Sequence, residues 1–135
     1  MGSRLLRHWL HHASRNQSIA RARQATITAL LDASVIEGLR NTLANIPDIE
    51  RIVSRIALYS ARPRDLSALR SGLQQLPGLR SYLDQCVMED GTSLLREMHQ
   101  NLAVPRSCLD LLEHAISDEP SAMIREGGVI AAGFS

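Results

Sequence analysis

The sequence predicts a mainly α-helical fold, a multi-helix bundle-like domain that ends in a small β-hairpin. Apolar residues recur at helical spacing along most of the 135 residues, as they do in helices that bury one face. Proline, glycine and capping residues divide this pattern into separate helices. After residue 117 the pattern changes to short β-prone segments around a glycine pair. We therefore expect a single helical domain over residues 1–135, with helices in 1–117 and a loop and hairpin in 118–135.

Three helices are predicted before residue 46. The first ends at the polar stretch Ala13–Gln17, and Ser18 is expected to cap the second, because a serine side chain satisfies a free N–H at a helix start. Ser34 and Glu37 have capping-box spacing and predict the start of the third. The apolar faces of these helices comprise Leu5, Leu6, Trp9 and Leu10, then Ile19, Ala22, Ile27, Leu30 and Leu31, then Ile36, Leu39 and Leu43.

Prolines mark the next three helices. Pro47 ends the preceding region, and Asp48 is expected to cap the fourth helix. Pro63 permits the start of the fifth, since its fixed φ suits a first turn. Pro77-Gly78 kinks or breaks the chain before the sixth, and Glu89–Gly91 is predicted to be a loop. The apolar faces comprise Ile49, Ile52, Val53, Ile56 and Ala57, then Leu66, Leu69, Leu73 and Leu76, then Leu79, Tyr82, Leu83 and Cys86.

The last part of the chain predicts two more helices and then the hairpin. Pro105 is placed in the first turn of the final helix, and Asp118–Pro120 stops the helical region. Ala122–Arg125 and Val129–Gly133 flank Gly127-Gly128, a pattern typical of a hairpin turn. Because an isolated hairpin is marginally stable in water, we expect it to rest on the helices or to lead into further structure, as in a chain that has been cut.

The charge is unevenly distributed along the chain. All fifteen basic residues are arginine, and the net charge of +1 argues against a protein built mainly to neutralise phosphates. Residues 1–67 hold ten arginines and five acids (+5), whereas residues 68–135 hold five arginines and nine acids (−4). Solvated, self-paired faces account for this asymmetry, and the alternative is a basic face toward DNA or an acidic partner domain. Four aromatic residues, Trp9, Tyr59, Tyr82 and Phe134, are too few to predict a base-stacking platform.

Several classes of protein are disfavoured by composition. No apolar run approaches the ~20 residues of a membrane span, and the N-terminus has too short an apolar core for a secretory signal. Cys86 and Cys108 lack motif spacing and are expected to be small buried residues in a reducing compartment, with a disulfide between them as the alternative.

The sequence contains no pattern that predicts a catalytic, cofactor or metal site. It lacks the phosphate-binding GxxxxGK[ST] loop and the GxGxxG, GxSxG and HExxH patterns. His8, His11 and His12 lie on one helix face at a spacing that divalent metals accept, but no carboxylate or thiolate lies nearby in sequence to complete a site. We therefore expect surface histidines beside a buried Trp9. His99 and His114 stand alone and are expected to be exposed.

The densest charged stretch lies between the fourth and fifth helices. Arginine forks suit carboxylates or phosphates. We expect Asp65 to favour the positive end of the fifth helix, and an arginine to bind the last carbonyls of the fourth. The alternative is direct phosphate contact. The stretch comprises Arg51, Arg55, Arg62 and Arg64 with Asp48, Glu50 and Asp65.

Taken together, these segments resemble the core or lever domain (domain III) of the MutS family of DNA mismatch-repair proteins. The likeness covers essentially all 135 residues, and its most specific element is Ala61–Leu66, ARPRDL. Ala13 and Asn16 stand where the family usually has proline and aspartate. The other matching stretches are Met1–Leu6 leading to Trp9–His11, Ile49–Arg55, Gln75–Pro77 and Gly127–Phe134.

The resemblance implies a role in a larger parent protein. The family recognises mismatched DNA as dimers and couples ATP binding and hydrolysis to clamp movement, so ATP and Mg²⁺ would belong to a parent ATPase domain outside this chain. The chain would be the first half of the core domain, non-catalytic, bacterial, cytoplasmic and nucleoid-associated. Its implied partners are other domains of the parent, mismatched double-stranded DNA and downstream repair proteins, with no membrane. The signature positions, expected to be architectural, are Gly2, Arg4, Leu5, Leu6, Trp9, Arg51, Arg62, Pro63, Arg64 and Asp65.

Two other functions fit the same sequence. A free-standing helical module would bind a protein partner through an exposed groove and would be strictly monomeric. A small metal-dependent or hydrolytic enzyme would depend on the histidine cluster alone. A core-domain segment should instead expose apolar surface and self-associate.

Overall fold

The computed structural model describes residues 2–90 and 93–134, and the fold is mainly helical, as predicted. These residues form eight α-helices and one short 3-10 helix. The helices are α1 (Gly2–His11), α2 (Gln17–Asp32), α3 (Ile36–Ala44), α4 (Ile49–Ala57), α5 (Pro63–Gln74), α6 (Leu76–Asp90), α7 (Ser93–Asn101) and α8 (Arg106–Ala115), and the 3-10 helix is Ile124–Glu126. Among these residues, no helix is long and apolar enough to cross a lipid bilayer.

Capping explains where several helices begin. Asp48 caps α4 as predicted, with Oδ1 accepting the backbone N–H of Arg51 at 3.2 Å. For α2 the cap is Asn16 rather than Ser18, because the Asn16 side chain accepts the Ser18 N–H at 3.0 Å. The capping box predicted at Ser34 does not form: Ser34 has a φ of 53°, and Val35 directly precedes α3 without a side-chain cap.

Three of the predicted boundaries are shifted. Pro77 and Gly78 do not precede the sixth helix but lie in its first turn, since α6 begins at Leu76. The loop predicted at Glu89–Gly91 is wrong for its first two residues, since α6 continues to Asp90, and Gly91 lies outside the described residues. Pro105 directly precedes α8 instead of lying in its first turn.

The helices enclose two apolar clusters. The first joins α4, α5 and α8, with α5 packing on both α4 and α8, and the second joins α2, α3, α6 and α7. Because α5 also packs on α6, the two clusters are connected through adjacent helices. The buried members are Ile52, Leu69, Leu73, Leu109, Leu112, Ala115 and Ile116 in the first cluster, and Val35, Leu83, Cys86 and Leu95 in the second.

The predicted C-terminal β-hairpin does not form in the described residues. Residues 129–131 pair with the chain at the end of α8: Ser117 N–H donates to Val129 O at 3.0 Å, and Ala131 N–H donates to Ala115 O at 2.9 Å. The only cross-strand contact within the described ranges is an isolated antiparallel bridge between Ile116 and Ile130. Residues 129–131 therefore pair with the extended chain at the end of α8 and not with residues 122–125. Residues 124–126 form a 3-10 helix instead of a strand.

Candidate functional site

The α4–α5 junction, residues 55–65, holds the most buried of the ion pairs that join two helices in the described part of the chain. Nη1 of Arg55 lies 2.8 Å from Oδ1 and 3.0 Å from Oδ2 of Asp65. The Asp65 side chain is only 16% exposed and that of Arg55 is 32% exposed. Such partial burial makes the pair less screened than an ordinary surface ion pair. The pair fixes the end of α4 against the start of α5.

Asp65 also stabilises the start of α5, as the sequence predicted. Its Oδ2 accepts the backbone N–H of Arg62 at 2.9 Å, while the Asp65 N–H donates to Arg62 O at 2.9 Å. The Arg62 N–H lowers the pKa of the Asp65 carboxyl below its ordinary value of 3.8. The hydrogen bond and charge of Arg55 and the charge of Arg62 act in the same direction, and desolvation opposes them. The ionised form of Asp65 is therefore favoured by folding.

The end of α4 is stabilised differently from the prediction. Tyr59 has a φ of 53°, which turns the chain sharply, and both the backbone N–H and Oγ of Ser60 donate to Arg55 O, at 2.8 and 3.3 Å. The prediction that an arginine side chain binds the last carbonyls of α4 is wrong. Arg62 and Arg64 are exposed, and their guanidinium groups contact no carboxylate or carbonyl among residues 2–90 and 93–134.

A second charged contact ties α1 to α4. Arg4 Nη2 lies 2.6 Å from Oδ2 of Asp48 and 3.9 Å from Oε2 of Glu50. The residues of α1, including Arg4, are mostly exposed to solvent, whereas Asp48 is half-buried. The Arg23 guanidinium lies 3.6 Å above the centroid of the Trp9 ring, which is half-buried rather than buried. These contacts hold α1 at the outside of the bundle.

The histidine cluster lies on the exposed side of α1. The rings of His8 and His12 stack with centroids 4.4 Å apart, and His11 lies in the same shallow cleft. Within the part of the chain that is described, no three His, Cys, Asp or Glu side chains are arranged to hold a metal ion. The expectation for His99 is wrong, since it is half-buried and its Nε2 lies 2.6 Å from Asp84 Oδ1.

The two cysteines have different environments. Cys86 is buried in the second cluster, as expected, whereas Cys108 is exposed. Neither forms a disulfide. The disulfide alternative therefore does not form.

Arg70 is an important residue that sequence analysis missed. Its side chain is buried and donates to Ile116 O at 2.8 Å, to Ser117 O at 3.4 Å and to Asp118 O at 3.5 Å. Charged side chains are rarely this buried unless they are fully hydrogen-bonded. The arginine thus clamps the chain that follows α8 onto α5. Its position on the apolar face, one residue after Leu69, was the available signal.

The clamped segment forms a cleft with the α4–α5 junction. This space, which we call the arginine cleft, has a volume of about 450 Å³ and brings Arg62 and Arg125 to one site. Its other lining residues are Ala61, Pro63, Ala122, Met123 and Ile124. The cleft is the point at which the ARPRDL element meets the C-terminal segment, although they are far apart in sequence.

A second surface feature is an open, almost entirely apolar groove of about 440 Å³. It lies between α3, α6 and α7, beside the second cluster, and Leu43 is about half exposed in it. We call it the leucine groove. It is lined by Leu30, Leu39, Leu43, Leu79, Leu83, Leu95, Met98, Asn101 and Leu102.

The remaining signature positions do not converge on one site. Gly2, Leu5 and Leu6 are exposed on α1, and Arg51 is exposed on α4. Pro63 is buried at the start of α5 beside Asp65. Of the predicted signature positions, only Arg62–Asp65 lie at the junction. The other residues that form this region are Arg55, which pairs with Asp65, Arg70, which holds the C-terminal segment, and Arg125, which lines the cleft.

The described residues thus form a helical domain with an ion-paired helix junction and a separate open apolar groove. Residues 1–132 match the family model for MutS domain III, which covers nearly the whole chain. The chain belongs to the MutS domain III family, a non-catalytic domain of MutS-family mismatch-repair proteins.

Proposed function

We propose that this chain is the first half of a core, or lever, domain that relays conformational changes within a mismatch-repair protein. The match to MutS domain III over residues 1–132 carries this proposal. The parent would recognise mismatched double-stranded DNA and couple ATP binding and hydrolysis to clamp movement. ATP and Mg²⁺ would bind in its ATPase domain, and the parent would act in the bacterial cytoplasm at the nucleoid with downstream repair proteins.

The α4–α5 junction supplies a physical basis for the relay. Coupling between distant sites requires stiff elements that can change between discrete arrangements. Packed helices are stiff, and the Arg55–Asp65 pair fixes the angle between two of them while staying partly open to solvent. We expect both helices to persist when the pair is broken, because the apolar contacts of α4 and α5 involve other residues. The architectural role of Arg51, Arg62 and Arg64 remains a prediction.

The relay is tested in the full-length protein that carries this domain. Asp65→Asn removes the ion pair, and we expect it to slow or uncouple the ATP-dependent release from a mismatched duplex while initial mismatch binding is retained. Asp110→Asn is the matched control, since it removes the same charge at an exposed position on α8 whose side chain forms no ion pair among the described residues. If Asp65→Asn leaves the mismatched duplex at the wild-type rate after ATP is added, the junction takes no part in the relay.

The chain alone should show no ATP hydrolysis and little preference for mismatched over paired DNA. Finding either activity in pure material would contradict the proposal.

The leucine groove indicates that another protein surface covers this face, because an exposed apolar surface of this kind is commonly covered in that way. We expect the isolated chain to self-associate through it. A strictly monomeric chain would favour the alternative, a free-standing helical protein-interaction module.

A further inference from the structure

We propose that the arginine cleft binds a short acidic peptide segment of a partner protein, with carboxylates beside an apolar side chain. The cleft lies between the α4–α5 junction and residues 122–125. Its volume of about 450 Å³ is within the range of ligand pockets. This inference goes beyond the relay and does not depend on it.

The charges of the cleft are available to a ligand. Arg62 and Arg125 both line it, and neither guanidinium has a carboxylate within 4.0 Å among the described residues. Asp65, the acid nearest in sequence to Arg62, is already bound to Arg55 and to the Arg62 backbone N–H. Glu126 follows Arg125 directly but forms no ion pair with it. Two arginine forks without an ion-pair partner among the described residues favour an anionic ligand that carries carboxylates or phosphates.

The walls of the cleft are apolar and exposed. Ile124 is 73% exposed and Met123 is 48% exposed. Burying such side chains is favourable only when the ligand supplies apolar surface in return. A sugar-phosphate backbone would satisfy the arginines and leave these side chains uncovered, whereas a peptide that alternates acidic and apolar residues would satisfy both. The combination therefore favours a peptide over a nucleic acid.

The cleft is also held in shape before a ligand binds. Oγ of Ser121 lies within hydrogen-bond distance of the carbonyl oxygens of Met123 and Gly127, to one of which its hydroxyl donates, and this contact closes the loop that carries Arg125. Pro120 is buried, and Arg70 holds the preceding residues onto α5. On the opposite wall, the backbone of Arg62 is fixed by Asp65. A preformed site loses less entropy on binding than one that must be ordered.

The test uses the 135-residue chain and a fluorescently labelled, acetylated peptide that alternates aspartate with leucine, measured by anisotropy. Exposed charge pairs contribute up to about 1 kcal/mol, so Arg62→Gln and Arg125→Gln should each weaken binding roughly two- to fivefold, and the double variant more. Ile124→Ser should weaken binding to a similar extent. Neither arginine side chain forms an ion pair with the residues that the structure describes, so circular dichroism should show unchanged helicity.

Matched controls separate this site from general electrostatic attraction. Arg64→Gln changes the same charge two residues from Arg62 but lies outside the cleft, and it should leave the Kd unchanged. Peptides that alternate aspartate with glycine, or asparagine with leucine, should bind more weakly than the probe. Three results would overturn the proposal. Arg64→Gln could weaken peptide binding as much as Arg62→Gln does, a short DNA duplex could displace the peptide at a concentration that occupies few of the protein molecules, or the peptide could show no saturable binding.

Discussion

Nη1 of Arg55 donates to both carboxylate oxygens of Asp65, at 2.8 and 3.0 Å, and thereby joins the last turn of α4 to the first turn of α5. The same carboxylate accepts the Arg62 N–H at 2.9 Å. One side chain thus serves as an interhelical ion-pair partner and as a helix-start acceptor. Its two roles can be separated by mutation.

Asp65→Ala should lower the free energy of unfolding by about 1–3 kcal/mol, because it removes both a helix-start hydrogen bond and a charge-assisted pair. In a double-mutant cycle with Arg55→Gln, the coupling energy should be about 1 kcal/mol. Urea denaturation measures both values. Arg64→Ala, in the same turn and exposed, should change stability by less than about 0.5 kcal/mol. A coupling energy near zero would show that the pair does not hold the junction.

The lowered pKa of Asp65 predicts a pH dependence of stability. The folded carboxyl has a pKa below 3.8, so near that pH the unfolded chain binds more protons than the folded one. Stability from Asp65 is therefore fully present above about pH 5 and is lost as the pH falls through the folded pKa. Denaturation midpoints measured from neutral to acidic pH should decline less steeply in Asp65→Asn than in the wild type. Equal slopes would contradict this assignment.

The local signals in the sequence were sufficient for most of the fold. Asp48, Pro63 and the spacing of apolar residues correctly placed α4 and α5, because caps and periodicity act over a few residues. Ser34 shows the limit of this approach: the chain adopts a positive φ there, and α3 begins without a side-chain cap. Local chemistry alone does not specify that choice.

Long-range partners could not be predicted in the same way. Val129–Ala131 has the composition of a strand, but its partner depends on where α8 ends in space, so the hairpin prediction failed. Arg70 was missed because a single arginine in an apolar stripe usually reaches solvent, and its carbonyl partners are 46 to 48 residues away. The arginine cleft depends on that same contact. The sequence predicted that Asp65 stabilises the start of α5, whereas only the structure identified Arg55 as its ion-pair partner.

Replacing Arg70 should release the C-terminal segment. Arg70→Met preserves much of the apolar stem but leaves Ile116 O, in a buried residue, without its donor. We expect a loss of about 2–3 kcal/mol, expressed first as local opening. Hydrogen exchange should accelerate at the amides of Ser117 and Ala131, which bond across the bridge. Arg96→Met, at an exposed position on α7, is the control, and unchanged exchange in Arg70→Met would show that the clamp does not hold the segment.

The leucine groove predicts how the isolated chain associates. Leu43 is 52% exposed and lines the groove, whereas Leu111 is 57% exposed on α8 and lies outside it. Glutamate at position 43 would place a charge against an apolar partner surface, which is costly unless the charge is paired. Sedimentation velocity should therefore show concentration-dependent self-association for the wild type and Leu111→Glu, and a monomer for Leu43→Glu. If both variants associate like the wild type, the contact lies elsewhere. If the wild type is itself monomeric at all concentrations, the groove does not mediate self-association.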